Sequence, residues 1–201
     1  CSSSSSTSTP SVSNGEAVRT FDGKVKNYKG EQAILRAYDN SVGNKVGNGI
    51  VGNGQLEADG SFSFEFRNDI DVSSRSLFFC EYSDTFQTMV IWKIYVQSSV
   101  EDTFSDSQGI IILADSDWPI DSDLPIDLQT TGKQQMFWSY VAEDTEVQQV
   151  CDNNNETIDL SWKAGWNTSV YTSKNGSIGS SIKSQALTND YSWYFLPIED
   201  Q

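Results

Sequence analysis

The feature that most constrains this chain is a strict period of two. In GSFSFEFR, residues 60–67, Phe62, Phe64 and Phe66 alternate with Ser61, Ser63, Glu65 and Arg67. Successive side chains of a strand point to opposite faces, so three aromatic rings share one side and the polar groups the other. No helix presents such a pattern on one face. The same alternation returns in TIDLSW, where Ile158, Leu160 and Trp162 are set against Asp159 and Ser161, and in AILRA, where Ala33, Leu35 and Ala37 alternate with Ile34 and Arg36. Val25 is expected to face inward between Lys24 and Lys26.

Other segments fit the same class. TMVIWKIYVQ, residues 88–97, is apolar at almost every position and predicts one central strand covered on both faces. QQMFWSYVA, NTSVYTS, SIKSQAL and the aromatic YSWYFLPI follow as further strands, with Gly165 breaking the run after Trp162. Ala58-Asp59-Gly60 signals a turn, and the glycines of NGIVGNGQLEADG suit tight turns and bulges. No segment predicts a helix longer than about two turns. The expectation is an all-β chain of two β-sandwich-like units, of immunoglobulin or transthyretin type, at residues 16–98 and 108–201. The polar stretch QSSVEDTFSDSQG joins them.

Before the first unit lies CSSSSSTSTPSVSNG. Ten of residues 2–14 are Ser or Thr, and only Val12 could enter a core. Such a segment cannot offset the entropy of ordering, so residues 1–15 are expected to form a flexible tether. Cys1 followed by a Ser-rich tether resembles the mature end of bacterial lipoproteins. That resemblance implies a lipid on Cys1, export and anchorage to a membrane of the bacterial envelope, on its periplasmic or outer side. The other reading of Cys1 is an arbitrary chain start. In an oxidising compartment Cys80 and Cys151 would pair as a disulfide closing a long loop; two buried thiols are the alternative.

Composition removes whole classes of function. The chain has no histidine, which excludes a Ser-His-Asp triad, a Cys-His pair and a His-ligated zinc site. Its net charge of −15 disfavours nucleic acid as a partner. No apolar run approaches the ~18 residues of a spanning helix. The charge is concentrated: between Lys93 and Lys163 there are fourteen acids and one base, Lys133. ADSDWPIDSDLPID is densest, and Asp115, Asp117, Asp121 and Asp123 are the residues a calcium ion would take there. The segment lacks the Gly and Glu positions of an EF-hand, and a solvated acidic loop explains it equally. A paired-carboxylate glycosidase site would also need two of these acids in a cleft.

Trp118 beside the acidic run and Trp166 in the KAGWN segment are the aromatic candidates for stacking on a sugar or a partner; folding back onto the sandwich is the alternative. Trp92, Trp138, Trp162 and Trp193 lie in strands and are expected in the core. GKVKNY, the glycine-rich strand pair and ADGSFSFEF resemble transthyretin-like or carboxypeptidase-regulatory-like sandwiches of secreted bacterial proteins. KAGWN, Lys163–Asn167, is similar to a "GWN" turn of bacterial lipoproteins. These resemblances imply an accessory or binding sandwich, not an enzyme, with a protein or glycan as its ligand. The reading from another class is a carbohydrate-binding or carbohydrate-active module using acids and exposed Trp. No cofactor is implied beyond the calcium considered above.

Overall fold

The structure, a computed structural model, describes residues 16–39, 49–73, 87–98, 107–115, 133–151, 155–173 and 180–197. The tether 1–15, Cys80, Asp117, Trp118, Asp121 and Asp123 lie outside the described residues. Among the described residues the chain is all-β apart from one helical turn, Glu16–Arg19. Its strands are β1 (Thr20–Lys24), β2 (Ala33–Tyr38), β3 (Ile50–Leu56), β4 (Ser61–Phe66), β5 (Thr88–Ile91), β6 (Ile94–Gln97) and β7 (Ser107–Ala114). There follow β8 (Gln134–Val141), β9 (Thr145–Val150), β10 (Thr157–Trp162), β11 (Gly165–Thr172), β12 (Ser181–Ser184) and β13 (Ser192–Pro197).

One large mixed sheet runs β1-β4-β3-β2-β6-β7-β8-β11-β12-β10-β9, with β13 on β7 and β5 on β8. Pairing is antiparallel except between β10 and β12 and at a bridge from Val25 to Trp193. That bridge brings β13 back beside β1, so β1, β4, β3, β2, β6, β7 and β13 form a ring of neighbours. The ring surrounds the main core, which holds Leu35, Leu56, Phe62, Phe64, Phe66, Val96, Ile111 and Trp193. β5, β8 and β11 close it with Met89, Ile91, Met136, Trp138, Trp166 and Val170. On its other face β8 contributes Phe137 and Val141 to a second core with Ile158, Leu160, Trp162 and Ile182. The expected boundary at 98–108 is crossed by β6 on β7 and β5 on β8, and the main core draws on both sides of it.

The alternation is realised in space. Phe62, Phe64 and Phe66 are buried to 5%, 2% and 0% exposure. Each such side chain contributes about 1.5–3 kcal/mol of apolar burial. Their rings cover strand partners that have little or no side chain: Phe66 is opposite Gly52, Phe64 opposite Gly54, and Phe62 opposite Gly23 on its other side. A Cβ on Gly52 would sit 2.5 Å from Cζ of Phe64 and 3.0 Å from Cδ1 of Phe66. The glycines of NGIVGNG are therefore not all turn residues; Gly52 and Gly54 lie mid-strand, where bulk would collide with the rings. The predicted turn does occur beyond them. Gly60 N–H donates to Glu57 C=O at 2.9 Å, Gly60 has φ +86°, and Asp59 accepts the Ser61 N–H at 2.9 Å.

TMVIWKIYVQ is two strands, not one. β5 pairs with β8, and β6 pairs with β2 and β7. The chain changes partners at Trp92-Lys93. There the Trp92 ring packs on Phe137 at 4.1 Å, and its carbonyl accepts Gln135 Nε2 at 2.8 Å. Both pieces are largely apolar and largely buried, so periodicity alone could not show the break.

Candidate functional site

The outward face of β1, β4, β3 and β2 is a polar ladder. Register places Thr20, Glu65, Asn53 and Arg36 in one row across the four strands. Asp22, Ser63, Gln55 and Ile34 form the next row. These are the residues that must point outward because Phe62, Phe64, Phe66, Leu35 and Leu56 point inward. Thr20, Ile34, Arg36, Asn53, Gln55, Ser63 and Glu65 line a depression of about 460 Å³ floored at Gly54 and Phe64. Neighbouring strands lie ~4.8 Å apart, so the row from Arg36 to Glu65 spans about 10 Å.

Electrostatics set the ladder's orientation. Arg19 Nη1 donates to the Glu65 carboxylate, and to the Phe66 carbonyl at 3.2 Å. Glu65 keeps its side chain 59% exposed while so anchored. Arg36 stands at the far end, half-buried. A guanidinium, a carboxamide and a carboxylate thus stand in line at strand spacing. All three are planar groups that form paired hydrogen bonds with adjacent hydroxyls or amides. No single segment of the sequence contains this site. Its signal was the set of outward polar positions between buried ones, and joining them required the register of four strands.

The expected site residues fall elsewhere. Trp166 is 4% exposed and belongs to the core. Its ring stacks on Phe66 at 4.0 Å and its Nε1–H donates to the Arg67 carbonyl at 2.6 Å, so it offers no face to a ligand. The rest of KAGWN builds the β10–β11 turn. Asn167 is 1% exposed; its Oδ1 accepts Lys163 N–H at 2.9 Å and its Nδ2 donates to the Lys163 and Gly165 carbonyls. Gly165 takes φ +102°. Asp144 accepts from Lys163 Nζ at 2.8 Å and from Ala164 N–H at 2.9 Å. The Lys163 hydrogen bond, with the Ala164 N–H, holds the Asp144 carboxyl below its ordinary range, and Asp144 in turn raises Lys163.

Asp115 closes β7, where its carboxylate accepts Gln134 N–H at 3.0 Å. Among the described residues no group of three His, Cys, Asp or Glu side chains is gathered as a metal site. Cys151 is 2% exposed beside Ile158, Leu160 and Trp162. Trp92, Trp138, Trp162 and Trp193 are packed in the cores, as expected. Among the described residues no helix is long and apolar enough to cross a membrane. No protein-family model matches the chain, and no curated protein and no solved structure matches it.

Proposed function

We propose that this chain is an exported, lipid-anchored binding protein of a bacterial envelope, without enzymatic activity, which holds a ligand on the ladder of Arg36, Asn53 and Glu65. The observation that carries the reading is that row of three planar polar groups across adjacent strands, with Asn53 and Glu65 exposed and Arg36 half-buried, over an aromatic core. Anchorage through Cys1 on the Ser-rich tether would present the domain away from the membrane surface. A Cys80–Cys151 bridge belongs to the same reading and is supported by the burial of Cys151 and by the oxidising compartment that export implies.

The ligand class the ladder favours is a glycan. Vicinal hydroxyls match the donor and acceptor pairs of Arg, Asn and Glu, and the overall charge of −15 opposes a polyanion. The test is a glycan array read with the purified chain and with an Asn53→Ala, Glu65→Gln variant. Both side chains are exposed, so the fold is retained. We expect a glycan bound by the parent and lost by at least about tenfold in the variant, as removal of charged hydrogen bonds predicts. Binding unaffected by the double substitution, or no glycan bound, would remove the ladder from the function. Cys1→Ser in the precursor is expected to release the protein from the membrane fraction; retention there would sink the lipid anchor.

A further inference from the structure

The two ends of the sheet are finished differently. At the β1 end, Val25 bridges to Trp193, and Asn27 stands in for a strand by donating Nδ2 to the Phe195 carbonyl at 2.9 Å and accepting Phe195 N–H at 2.7 Å. At the other end, far in the strand order from the Arg36–Asn53–Glu65 ladder, lies β9. β9 pairs with β10 over all six residues, from Thr145–Trp162 to Val150–Thr157, without a shift of register. Among the described residues no strand flanks its other side.

Three hydrogen bonds fix which backbone groups face that open side. Cys151 N–H donates to the Glu156 carbonyl at 2.8 Å, in register with the β9–β10 ladder. Thr157 N–H and Ser161 N–H instead turn away from β9, to the Ser180 carbonyl at 2.9 Å and to Ser184 Oγ at 2.8 Å. Bonded and non-bonded pairs alternate along an antiparallel ladder, so Thr145, Val147 and Gln149 bond to β10. The N–H and C=O groups of Glu146, Gln148 and Val150 therefore point to the open side, and no backbone hydrogen bond takes them up there among the described residues. Edge strands are ordinarily blunted by Lys, Pro, a bulge or an inward charge. TEVQQV, residues 145–150, has none of these; its one charge, Glu146, lies on the exposed face with Gln148 and Val150. Val150 is 64% exposed, the more open of the two large hydrophobic side chains exposed among the described residues.

We infer that β9 pairs antiparallel with β9 of a second copy of this chain, about a two-fold axis at Gln148, and so continues the sheet from one protomer into the other. The open groups dictate the register. Only an axis at Gln148 pairs all three open-side residues with one another: Gln148 with its own copy, and Glu146 with Val150 on each side, every such pair exchanging two N–H···O bonds. The same register keeps like charges apart. Glu146 lies beside Val150 of the second copy, whereas an axis at Glu146 would set two carboxylates directly opposite, which is destabilising. Asp144, just before the strand, is paired with Lys163 of its own copy at 2.8 Å. The two Asp159 carboxylates stand three strand spacings apart, about 14 Å, beyond the ~8 Å screening length of physiological salt. A single strand pair falls below the ~1,200 Å² of standard interfaces, so the dimer is weak and concentration-dependent.

The test follows the full chain by sedimentation velocity and by amide hydrogen exchange, from micromolar to millimolar concentration at physiological salt. The mass should rise toward that of a dimer. The amides of Glu146, Gln148 and Val150 should gain protection with concentration, while those of Thr145, Val147 and Gln149 are protected throughout. Val150→Glu puts a second carboxylate opposite Glu146 on each side of the axis and should raise the dimer Kd about tenfold. Val150→Lys puts an ammonium opposite the same carboxylate and should associate at least as tightly as the parent. The side chain at this position is largely in water, so both variants keep the fold. A monomer at every concentration would overturn the proposal and leave the edge to a strand of foreign sequence. So would a dimer indifferent to Val150→Glu, equal weakening by both substitutions, or concentration-dependent protection confined to other strands.

Discussion

Replacing Gly52 by Ala adds one methyl group at the point where two buried rings meet β3. The added Cβ would lie 2.5 and 2.7 Å from Cζ and Cε1 of Phe64, and 3.0 Å from Cδ1 of Phe66. Those rings have no room to withdraw. Phe64 lies 5.4 Å from Phe21 and 4.9 Å from Phe66, and Phe66 is stacked on Trp166 at 4.0 Å. Overpacking of this kind costs about 1–3 kcal/mol, while removing a glycine from the unfolded chain returns about 0.4–1 kcal/mol, leaving a net loss of roughly 1–2 kcal/mol. The melting midpoint should fall by about 2–8 °C for a chain of this size. The assay is urea denaturation followed by tryptophan fluorescence. Phe64→Leu shortens the ring that the methyl group strikes. Alone it should destabilise; combined with Gly52→Ala it should cost less than the two separately, by at least about 0.5 kcal/mol of coupling. Gly52→Ala as stable as the parent, or strict additivity in the double variant, would refute the account of β3 as a strand thinned to admit the rings.

Four further outcomes follow from the same geometry. Trp166→Phe keeps an aromatic ring on Phe66 but leaves the Arg67 carbonyl without its donor; denaturant titration should show a loss of about 1–3 kcal/mol. Gly165→Ala meets no atom within 4 Å yet must adopt φ +102°, so it should cost on the order of 1–3 kcal/mol with no change in near-ultraviolet circular dichroism of the core. Asp144 has a folded-state pKa below its unfolded value, so its contribution is present above the ordinary carboxylate range and fades as pH falls through the folded value; Asp144→Asn should flatten the acid limb of the stability curve. Melting midpoints in millimolar calcium and in chelator should coincide; a calcium-dependent rise would make the segment around Asp115 a binding site.

How far the sequence could be read depends on the range of the interaction that sets each feature. Alternation is local, and the segments that show it behave accordingly: Ile158, Leu160 and Trp162 are each 1% exposed, and Ala33, Leu35 and Ala37 are buried. The break at Trp92-Lys93 was not legible, because β5 and β6 are held by strands far along the chain whose cover makes both equally apolar. Nor was the ladder of Arg36, Asn53 and Glu65, whose members come from three strands and meet only through register. The same contrast separates the two kinds of glycine. Gly60 and Gly165 hold positive φ, a requirement of the local backbone, whereas Gly52 and Gly23 are small because rings from other strands lie against them.

KAGWN shows how a compact motif with an aromatic at its centre can be structural in every part. Lys163 pairs with Asp144, Gly165 supplies the backbone conformation, Trp166 fills the core beside Phe66, and the buried Asn167 amide ties the turn to itself. A binding residue leaves a donor, a charge or a ring face unspent once the fold is complete. No residue of KAGWN from Gly165 to Asn167 does so, whereas Asn53 is exposed on the outward face of β3. By that criterion the surface left open for a ligand is the strand ladder, away from the chain's most recognisable motif.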